Sequence, residues 1–466
     1  MKRDYLASVR SGEELSVTEQ VSLVARLSTP AILAQLSSIV MQYIDAAMVG
    51  SLGAPAAASI GLVASSTWLF GGVSYAATAG YTVMAAQQIG AGNEKEARNL
   101  MKEAFLFGTA LAVLIGLFGA AISGALPRWL GAEEALRRDA GSYFLVFALF
   151  LPVVRLNGIA AAMLQSSGNM RTPGALHVLM CALDVVFNAL LIYPARHWRG
   201  VFIPGAGLGV TGAALGTALA ETVTTGLMLF ALLARSPAMR LRRGERLRFS
   251  LAHLRQNVRI AVPVAAQEMV LSGAQVVSTG IVAPLGTVAI AANSFAVTAE
   301  SLCYMPGYGI GSAASVIIGQ STGAGRRELT RRLGWIVTLL GMAVMGAGGL
   351  VMYFAAPYVI GALSPDKAVV ALGTAVLRLE VFAEPFYAAN IVAEGVFRGA
   401  GDTLVPSLLD FGSMWLVRLP MAAVLSRSMG LRGVWIAMCV ELCVRGGLFL
   451  LRLAGKKWQK DAVAVG

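Results

Sequence analysis

The stretch QQIGAGNEKEARNL at residues 87–100 has a close copy, QSTGAGRRELTRRL, at residues 320–333. The copies begin at positions 87 and 320, an offset of 233 residues that also aligns other residues along the chain. The aligned pairs include Pro30 with Pro263, Tyr75 with Tyr308, Pro152 with Pro385, Gly168 with Gly401 and Pro173 with Pro406. Self-similarity at a fixed period is typical of a repeated fold. The sequence therefore predicts a duplicated structural unit.

The composition predicts a membrane protein. Of the 466 residues, 57% are hydrophobic and 13% are charged, whereas soluble domains average about 25% charged residues. Twelve apolar segments are long enough, or nearly so, to cross a bilayer: 24–49, 56–90, 99–125, 140–167, 174–194, 207–234, 257–283, 289–322, 333–356, 369–397, 404–426 and 431–453. Each is expected to be a helix, because backbone polar groups in lipid must be satisfied within the segment. The predicted fold class is an all-α polytopic membrane protein with twelve transmembrane helices.

The repeat divides these helices into two six-helix lobes, residues 1–234 and residues 257–466. Six is an even number, so both lobes insert with the same orientation. Their pseudo-twofold axis then runs along the membrane normal, and a substrate path between the lobes is the natural consequence. The basic segment 235–256 is the predicted cytoplasmic linker, in which we expect a short amphipathic helix.

The charge pattern predicts which side of the membrane each connection faces. The formal net charge is +12, and the lysines and arginines cluster in alternate short connections between the apolar segments. That placement follows the positive-inside rule, so both termini are expected in the cytoplasm and no nucleic-acid partner is implied. The first half carries a longer loop around RHWRGVFIPGAG, residues 196–207.

The sequence carries no motif of an enzyme or of a cofactor site. The four cysteines, all within apolar stretches, are read as buried hydrophobes rather than as a disulfide or a metal site: Cys181, Cys303, Cys439 and Cys443. A P-loop, an HExxH pair and a G-x-S-x-G elbow are absent from the sequence. No cofactor, no metal and no ATP-driven chemistry are therefore expected.

A carboxylate inside the first apolar segment is the strongest functional signal. Asp45 lies in MQYIDAAMVG, with Arg26 and Glu94 as the nearest charges in the sequence. A charged side chain at the centre of a membrane helix costs about 2.5–3.5 kcal/mol on insertion scales. Protonation removes that cost, and hydrogen-bond partners in a wet cavity reduce it. A permanently paired structural aspartate is the alternative, but a group that alternates between two protonation states is what a proton-coupled transporter needs.

Helices 5 and 4 offer partners for Asp45. Asp184 and Asn188 are one helical turn apart and share a face, and Asn157 follows Pro152, which can bend its helix. We expect Asp45, Asp184, Asn188 and Asn157 to form one cation-coupling cluster. The asparagines could instead serve only to hydrogen-bond neighbouring helices.

The repeat shows that the fold itself does not require this cluster. The 233-residue offset aligns three of its members with uncharged residues of the second half: Asp45 with Ser278, Asp184 with Val417 and Asn188 with Met421. The acids of the first half therefore serve a purpose particular to that half.

Further residues on helices expected to line a central cleft are candidates for substrate contact. Soft, aromatic or acidic side chains of this kind suit bulky apolar or cationic molecules: Gln35, Met41, Tyr43, Met48, Glu268, Glu300 and Tyr308. Most residues of these types in membrane helices simply pack in the core or face lipid. Glu394 lies four residues before Arg398 and is expected to pair with it.

Several motifs resemble the multidrug and toxic compound extrusion (MATE) family across essentially the whole chain. They are YIDAAMVGSLG, the two GAG segments, QSSGNMRTP, LGVTGAALGTALAE and FRGAGDTLVP. The resemblance implies twelve helices in two lobes around a central cavity. It also implies export of drug-like organic cations in exchange for H⁺ or Na⁺, by a monomer in the bacterial inner membrane. In the family an aspartate on helix 1 couples to the cation, and Asp45 matches it.

Two positions favour a particular branch of the family. In the NorM-type branch, a glutamate on helix 7 and an aspartate on helix 10 bind the cation; here the matching residues are Leu271 and Tyr387. The chain therefore looks more like the DinF-type branch, with H⁺ as the expected coupling ion. Three alternatives stay open. They are a Na⁺-coupled exporter, a lipid-linked precursor flippase of the same superfamily, and a membrane receptor or scaffold without transport.

Overall fold

The computed structural model describes residues 5–198, 201–242, 244–245 and 247–459, and these are almost entirely helical. The α-helices are α1 Tyr5–Ser11, α2 Val17–Gly50, α3 Ala54–Ala76, α4 Ala79–Gly90, α5 Glu94–Ile122, α6 Leu126–Trp129, α7 Glu134–Ser166, α8 Arg171–Leu191, α9 Gly209–Phe230, α10 Leu251–Val282, α11 Thr287–Gly323, α12 Arg327–Leu363, α13 Lys367–Glu380, α14 Glu384–Gly399, α15 Leu404–Gly412, α16 Leu419–Met429 and α17 Leu431–Ala454. A 3₁₀ turn spans Ala283–Leu285, and π-helical turns span Ala231–Arg235 and Ser413–Arg418. The second π turn joins α15 to α16.

Eleven helical segments of the described chain are long and apolar enough to span a membrane, which confirms an all-α polytopic membrane protein. The twelfth predicted segment, 369–397, is present but broken into α13 and α14, of 14 and 16 residues. Pro385 lies in the first turn of α14. A proline there has no amide hydrogen to bond to the preceding turn, which favours the start of a helix at this position.

The predicted long helix 56–90 is likewise two helices, α3 and α4, and Asn257 compensates for the break between them. Its Oδ1 accepts from the backbone N–H of Tyr81 at 3.1 Å, and its Nδ2 donates to the carbonyl of Ala77 at 2.8 Å. A Cβ added to Gly80 would lie 2.6 Å from the Cα of Asn257, so only glycine allows this approach. The freed backbone groups are thus satisfied by a side chain of α10, as membrane burial requires.

The long loop predicted in the first half contains the two strands of the described chain. Strands β1 Pro194–Trp198 and β2 Val201–Ala206 pair antiparallel, with Pro194 opposite Ala206 and His197 opposite Phe202. A hairpin satisfies its own backbone polar groups between its two strands. The described residues of the insertion therefore form paired strands rather than an irregular connection.

The chain divides into two compact units. The N unit comprises residues 37–85 and 93–265, and the C unit comprises residues 1–36, 86–92 and 266–466. The boundaries fall inside α2, α4 and α10, and in the connection between α4 and α5. In the N unit, α7 packs against α3, α5 and α9, and α8 packs against α9. In the C unit, α11 and α14 pack against each other and against α12. The division into lobes 1–234 and 257–466 stays a prediction.

The expected amphipathic helix in the linker is wrong for residues 236–242, 244–245 and 247–250, which are not helical. Their backbone carbonyls are instead bound by side chains of α5. Arg98 donates to the carbonyl of Ala238 at 2.9 Å, Lys102 to that of Glu245 at 2.7 Å, and Asn99 to that of Arg248 at 2.9 Å. Side chains that satisfy the backbone in this way compete with helix formation.

Glu245 makes the strongest of these linker contacts. Its carboxylate accepts Nε and Nη2 of Arg98 at 2.9 and 2.7 Å, a two-pronged ion pair whose arginine is buried. The hydrogen bond and charge of Arg98 lower the pKa of Glu245 below its ordinary 4.5. A carboxyl group whose pKa is lower in the folded than in the unfolded state stabilises the fold at pH values above its pKa in the unfolded state. That stabilisation is lost as the pH falls through its pKa in the folded state.

We therefore expect Glu245→Gln to lower the free energy of unfolding by about 1–2 kcal/mol at pH 7. The difference from wild type should shrink only at pH values below about 4.5. Thermal unfolding of the purified protein in detergent, followed at several pH values, measures both effects.

Glu328→Gln is the matched control. Glu328 pairs with Arg332 at 2.7 Å, but both side chains are largely exposed. An exposed i,i+4 pair contributes about 0.3–0.5 kcal/mol, so this variant should melt close to wild type. Equal effects of the two substitutions would contradict a special role for the linker contact.

Candidate functional site

Asp45, Asp184 and Asn188 come together in the N unit through one amide group. Nδ2 of Asn188 donates to Oδ1 of Asp45 at 2.8 Å and to Oδ2 of Asp184 at 3.0 Å. Asp184 and Asn188 are fully buried, while Asp45 is partly exposed. Both hydrogens of the amide are therefore used, one on each carboxyl group. The structure brings together three of the four residues that were expected to form the cluster.

Two features hold this arrangement in place. An added Cβ on Gly216 of α9 would lie 2.0 Å from Oδ1 and 3.0 Å from the backbone N of Asn188, so the absent side chain is what makes room for the amide. The hydroxyl of Tyr193, just beyond α8, donates to the carbonyl of Met48 at 3.1 Å and lies 2.8 Å from Oγ of Ser51. The end of α2 that carries Asp45 is thereby tied to the end of α8.

The site has unused capacity for a proton or a cation. Oδ1 of Asp184 and Oδ1 of Asn188 are buried and accept no hydrogen bond from the described residues. Two carboxyl groups that share one amide repel each other when both are ionised. A proton held between the acids would relieve the repulsion. A small cation bound to the spare oxygens would have the same effect.

Asn157 lies in the same unit but bonds elsewhere. Its Nδ2 donates to Oε2 of Glu221 on α9 at 2.6 Å, and no hydrogen bond joins it to Asp45 in the described chain. The sequence reasoning missed Glu221 as a functional candidate. It is the last residue of LGVTGAALGTALAE, a stretch that was itself singled out. A carboxylate within a membrane helix is a functional candidate by default, and that signal was available.

The residues predicted to contact substrate are distributed over both units. Met41, Tyr43 and Met48 belong to the N unit, and Gln35, Glu268, Glu300 and Tyr308 to the C unit. Met48 packs against a buried apolar cluster that includes Val49 and Ile192. Glu268 is exposed, whereas Glu300 is buried. The ring of Tyr308 lies edge-on to that of Tyr304, with centroids 6.0 Å apart.

The C unit holds a separate group of buried charges. Asp410 accepts from Nε2 of Gln267 at 2.5 Å and from Nδ2 of Asn390 at 3.1 Å, and Arg445 lies 3.5 Å from it. Arg445 also pairs with Glu441 at 2.9 Å. Glu394 pairs with Arg398, which confirms the expected i,i+4 contact. These acids have cationic partners, in contrast to Asp45 and Asp184.

Tyr387 of α14 occupies the position that matches the acid on the tenth predicted membrane helix of the NorM-type branch, so this position is aromatic here. The ring of Tyr387 packs against that of Tyr304, with centroids 5.6 Å apart. Leu271 of α10 occupies the position that matches the glutamate on the seventh predicted membrane helix of that branch. It is one of the partly buried hydrophobic residues around Ala274 and Met414. Neither residue carries a carboxylate.

Comparison with known proteins identifies the family. The MatE family model matches residues 30–190 and 263–424, so its two matches begin at Pro30 and Pro263, which the internal repeat aligns. A probable multidrug resistance protein NorM of Thermotoga maritima is 27% identical over 94% of this chain and 93% of its own length. The corresponding protein of Burkholderia pseudomallei is 30% identical over 90% of this chain and 89% of its own length. The NorM name of these relatives leans against the expected DinF-type branch.

Solved structures agree on the fold. An outward-facing multidrug resistance MATE family transporter superposes with a TM-score of 0.88 at 19% identity, over 98% of this chain and all of that one. A mutant of the Vibrio cholerae MATE transporter VcmN gives 0.87 at 18% identity, over 98% of this chain and 99% of that one. At such identities the likeness concerns the fold alone. The family model matches both halves of the chain, and the protein therefore belongs to the MATE family, whose members are transporters and not enzymes.

Proposed function

We propose that this protein is a proton-coupled multidrug efflux antiporter, which exports amphipathic, often cationic organic compounds. The observation that carries the proposal is the amide of Asn188, which bridges the carboxyl groups of Asp45 and Asp184 and leaves one buried carboxylate oxygen without a partner among the described residues. The names of the relatives, multidrug resistance proteins, support the substrate class.

The chemistry of the bridge suggests how a proton is coupled to movement. When both acids are ionised, each accepts one hydrogen of the Asn188 amide. When one acid is protonated, it becomes a donor and can bond the other carboxylate directly. Asp45 then bonds Asp184 in place of Asn188, so the contact between α2 and α8 moves by one turn along α8. Bending or shifting of α2 in the N unit would follow, and substrate would leave.

The Na⁺-coupled alternative has one specific observation in its favour. Oδ1 of Asp184 and Oδ1 of Asn188 are both unpartnered among the described residues, and oxygen atoms are the ligands that hard cations prefer. In this version Asp45 and Asp184 would be direct ion ligands. A lipid-linked precursor flippase is less well supported, because a phosphate-bearing cargo calls for a basic site and Asp45 and Asp184 are acidic.

The remaining expectations are proposals of the same kind. We place both termini in the cytoplasm and the protein, as a monomer, in the bacterial inner membrane. Gln35, Met41, Tyr43, Met48, Glu268, Glu300 and Tyr308 are the proposed substrate contacts, and Asn157 acts in coupling through Glu221. For the branch within the family, Leu271 and Tyr387 favour the DinF type against the NorM names of the relatives.

Imposing the pH and Na⁺ gradients separately tests the coupling ion. In inverted membrane vesicles, an acidic lumen at equal Na⁺ should drive accumulation of ethidium, a permanent cation. A lumen loaded with Na⁺, with low Na⁺ outside and equal pH on both sides, should not. Vesicles without the protein are the control. Accumulation driven only by Na⁺ would overturn proton coupling. If neither the pH gradient nor the Na⁺ gradient, imposed in turn, raised ethidium accumulation above the level of the control vesicles, that lack of driven uptake would overturn the antiporter itself.

A further inference from the structure

Arg155 is a buried cation in a membrane-spanning helix, and its charge has no anionic partner among the described residues. It lies within α7 and is 6% exposed. Within the described chain, its one hydrogen bond runs from Nη1 to the carbonyl of Ser74 and is long, at 3.4 Å. Its Nε is buried and makes no hydrogen bond. No carboxylate of the described residues forms an ion pair with it.

The other buried arginines have the carboxylate partner that Arg155 lacks among the described residues. Three arginines are buried in the described chain: Arg98, Arg155 and Arg445. Arg98 pairs with Glu245 at 2.7 Å, and Arg445 pairs with Glu441 at 2.9 Å. A buried charge without a partner is strongly unfavourable, because it loses its hydration and gains nothing in return. A protein that retains such a group in a membrane helix has a use for it.

The fold does not demand an arginine at this position. The repeat offset that aligns Pro152 with Pro385 aligns Arg155 with Ala388, which is fully buried on α14 of the C unit. The aligned position in the second half is thus occupied by a methyl group. Like Asp45, Arg155 is a feature of the first half alone.

Tyr75 of α3 covers the guanidinium group. The centre of the guanidinium lies 5.5 Å from the ring centroid, within the range of a cation–π contact. The tyrosine is 46% exposed, so it is the side chain whose movement would uncover the arginine. An aromatic ring beside a guanidinium fork matches a ligand with a flat apolar body and a carboxylate, since arginine binds carboxylates in a two-pronged geometry.

We infer that Arg155 and Tyr75 form a carboxylate-binding subsite in the N unit, which accepts substrates bearing a carboxyl group, zwitterionic ones included. The carboxylate supplies the charge that Arg155 lacks, and the ring of Tyr75 contacts the apolar body. In the described chain, no hydrogen bond or ion pair joins Arg155 to Asp45 or Asp184. It rests on the proposed function in that the ligand is an exported organic compound.

Rhodamine B and its ethyl ester distinguish the carboxylate from the rest of the ligand, since they differ only in the esterified carboxyl group. Fluorescence anisotropy with the purified protein measures binding of each dye. Wild type should bind rhodamine B more tightly than the ester. Arg155→Gln should weaken rhodamine B binding by roughly ten-fold and leave the ester unchanged. Arg155→Lys, which keeps the charge without the fork, should give a smaller loss and provides a second variant if the glutamine protein does not fold.

Arg378→Gln is the matched control. Arg378 also lies over a tyrosine, 5.0 Å from the ring centroid of Tyr353, but belongs to the C unit. Its loss should alter neither dye's binding. Equal changes for both dyes in Arg155→Gln, no change for either, or no preference of wild type for the free acid would overturn the subsite. If wild type bound neither rhodamine B nor its ester, the result would count against the proposed export of organic cations, and it differs from the outcomes that overturn the subsite alone.

Discussion

We expect proton-driven accumulation of ethidium to disappear when Asp45 is replaced by Asn. A difference of two pH units supplies about 2.7 kcal/mol per proton, which corresponds to an accumulation ratio of about a hundred. Asparagine has nearly the size of aspartate but cannot take up or release a proton, so this driving force is lost. Ethidium should then only equilibrate across the membrane, to a ratio of about one for its free concentration. Uptake into inverted vesicles with an acidic lumen measures the ratio.

Asp366→Asn is the control for removing a carboxylate. Asp366 is exposed and caps α13, where its side chain accepts from the backbone N–H of Ala368 at 2.8 Å. Asparagine is an equally good cap, so accumulation should match wild type. The binding of ethidium to Asp45→Asn, measured by anisotropy, separates lost coupling from lost binding. Normal accumulation of ethidium by the Asp45→Asn variant would contradict a role of Asp45 in coupling.

The second large effect is expected from Gly216→Ala. The new methyl group would lie 2.0 Å from Oδ1 of Asn188 and 3.0 Å from its backbone N, so the amide must move away from Asp45 and Asp184. Overpacking of this kind costs about 1–3 kcal/mol, and we expect the rate of proton-driven uptake to fall by roughly ten-fold. This substitution changes no charge, and so it tests the geometry of the bridge rather than the acids themselves.

Gly226 on the same helix provides the matched control for Gly216. A Cβ at Gly226 would meet nothing within 4 Å. Gly226→Ala should therefore leave uptake unchanged and raise stability by up to about 1 kcal/mol, because alanine favours the helix. Thermal unfolding checks that both variants are folded. Similar uptake by the two variants would show that the position of the Asn188 amide is unimportant.

The residues of the bridge could be predicted because their signals are local. Asp184 and Asn188 are four residues apart, and a helix places such residues on one face whatever surrounds it. Asp45 stood out because an acid in an apolar segment needs a reason to be there. The pairing of Asn157 with Glu221 could not be read in this way. It depends on which helices are neighbours, and α7 and α9 are far apart in sequence.

The broken helices illustrate the same limit. Hydropathy predicted 56–90 as one helix, and it is apolar enough throughout. The break at Ala77 and Thr78 is stable because Asn257, 180 residues away from Ala77, bonds the freed backbone groups. The linker likewise lacks its expected helix because Arg98, Asn99 and Lys102 bind its carbonyls. Each of these outcomes depends on a side chain from a distant helix.

By itself, the sequence determined that this is a duplicated, all-helical membrane protein of the MATE type with an acid in its first membrane-spanning helix. Hydropathy, repeat offset and helical spacing are properties of the chain before it folds, so they can be read from it directly. Only the tertiary structure decided that one amide serves two acids, that Gly216 makes room for it, and that Arg155 is buried without an anion. Those facts depend on distances between helices, which arise only when the helices pack.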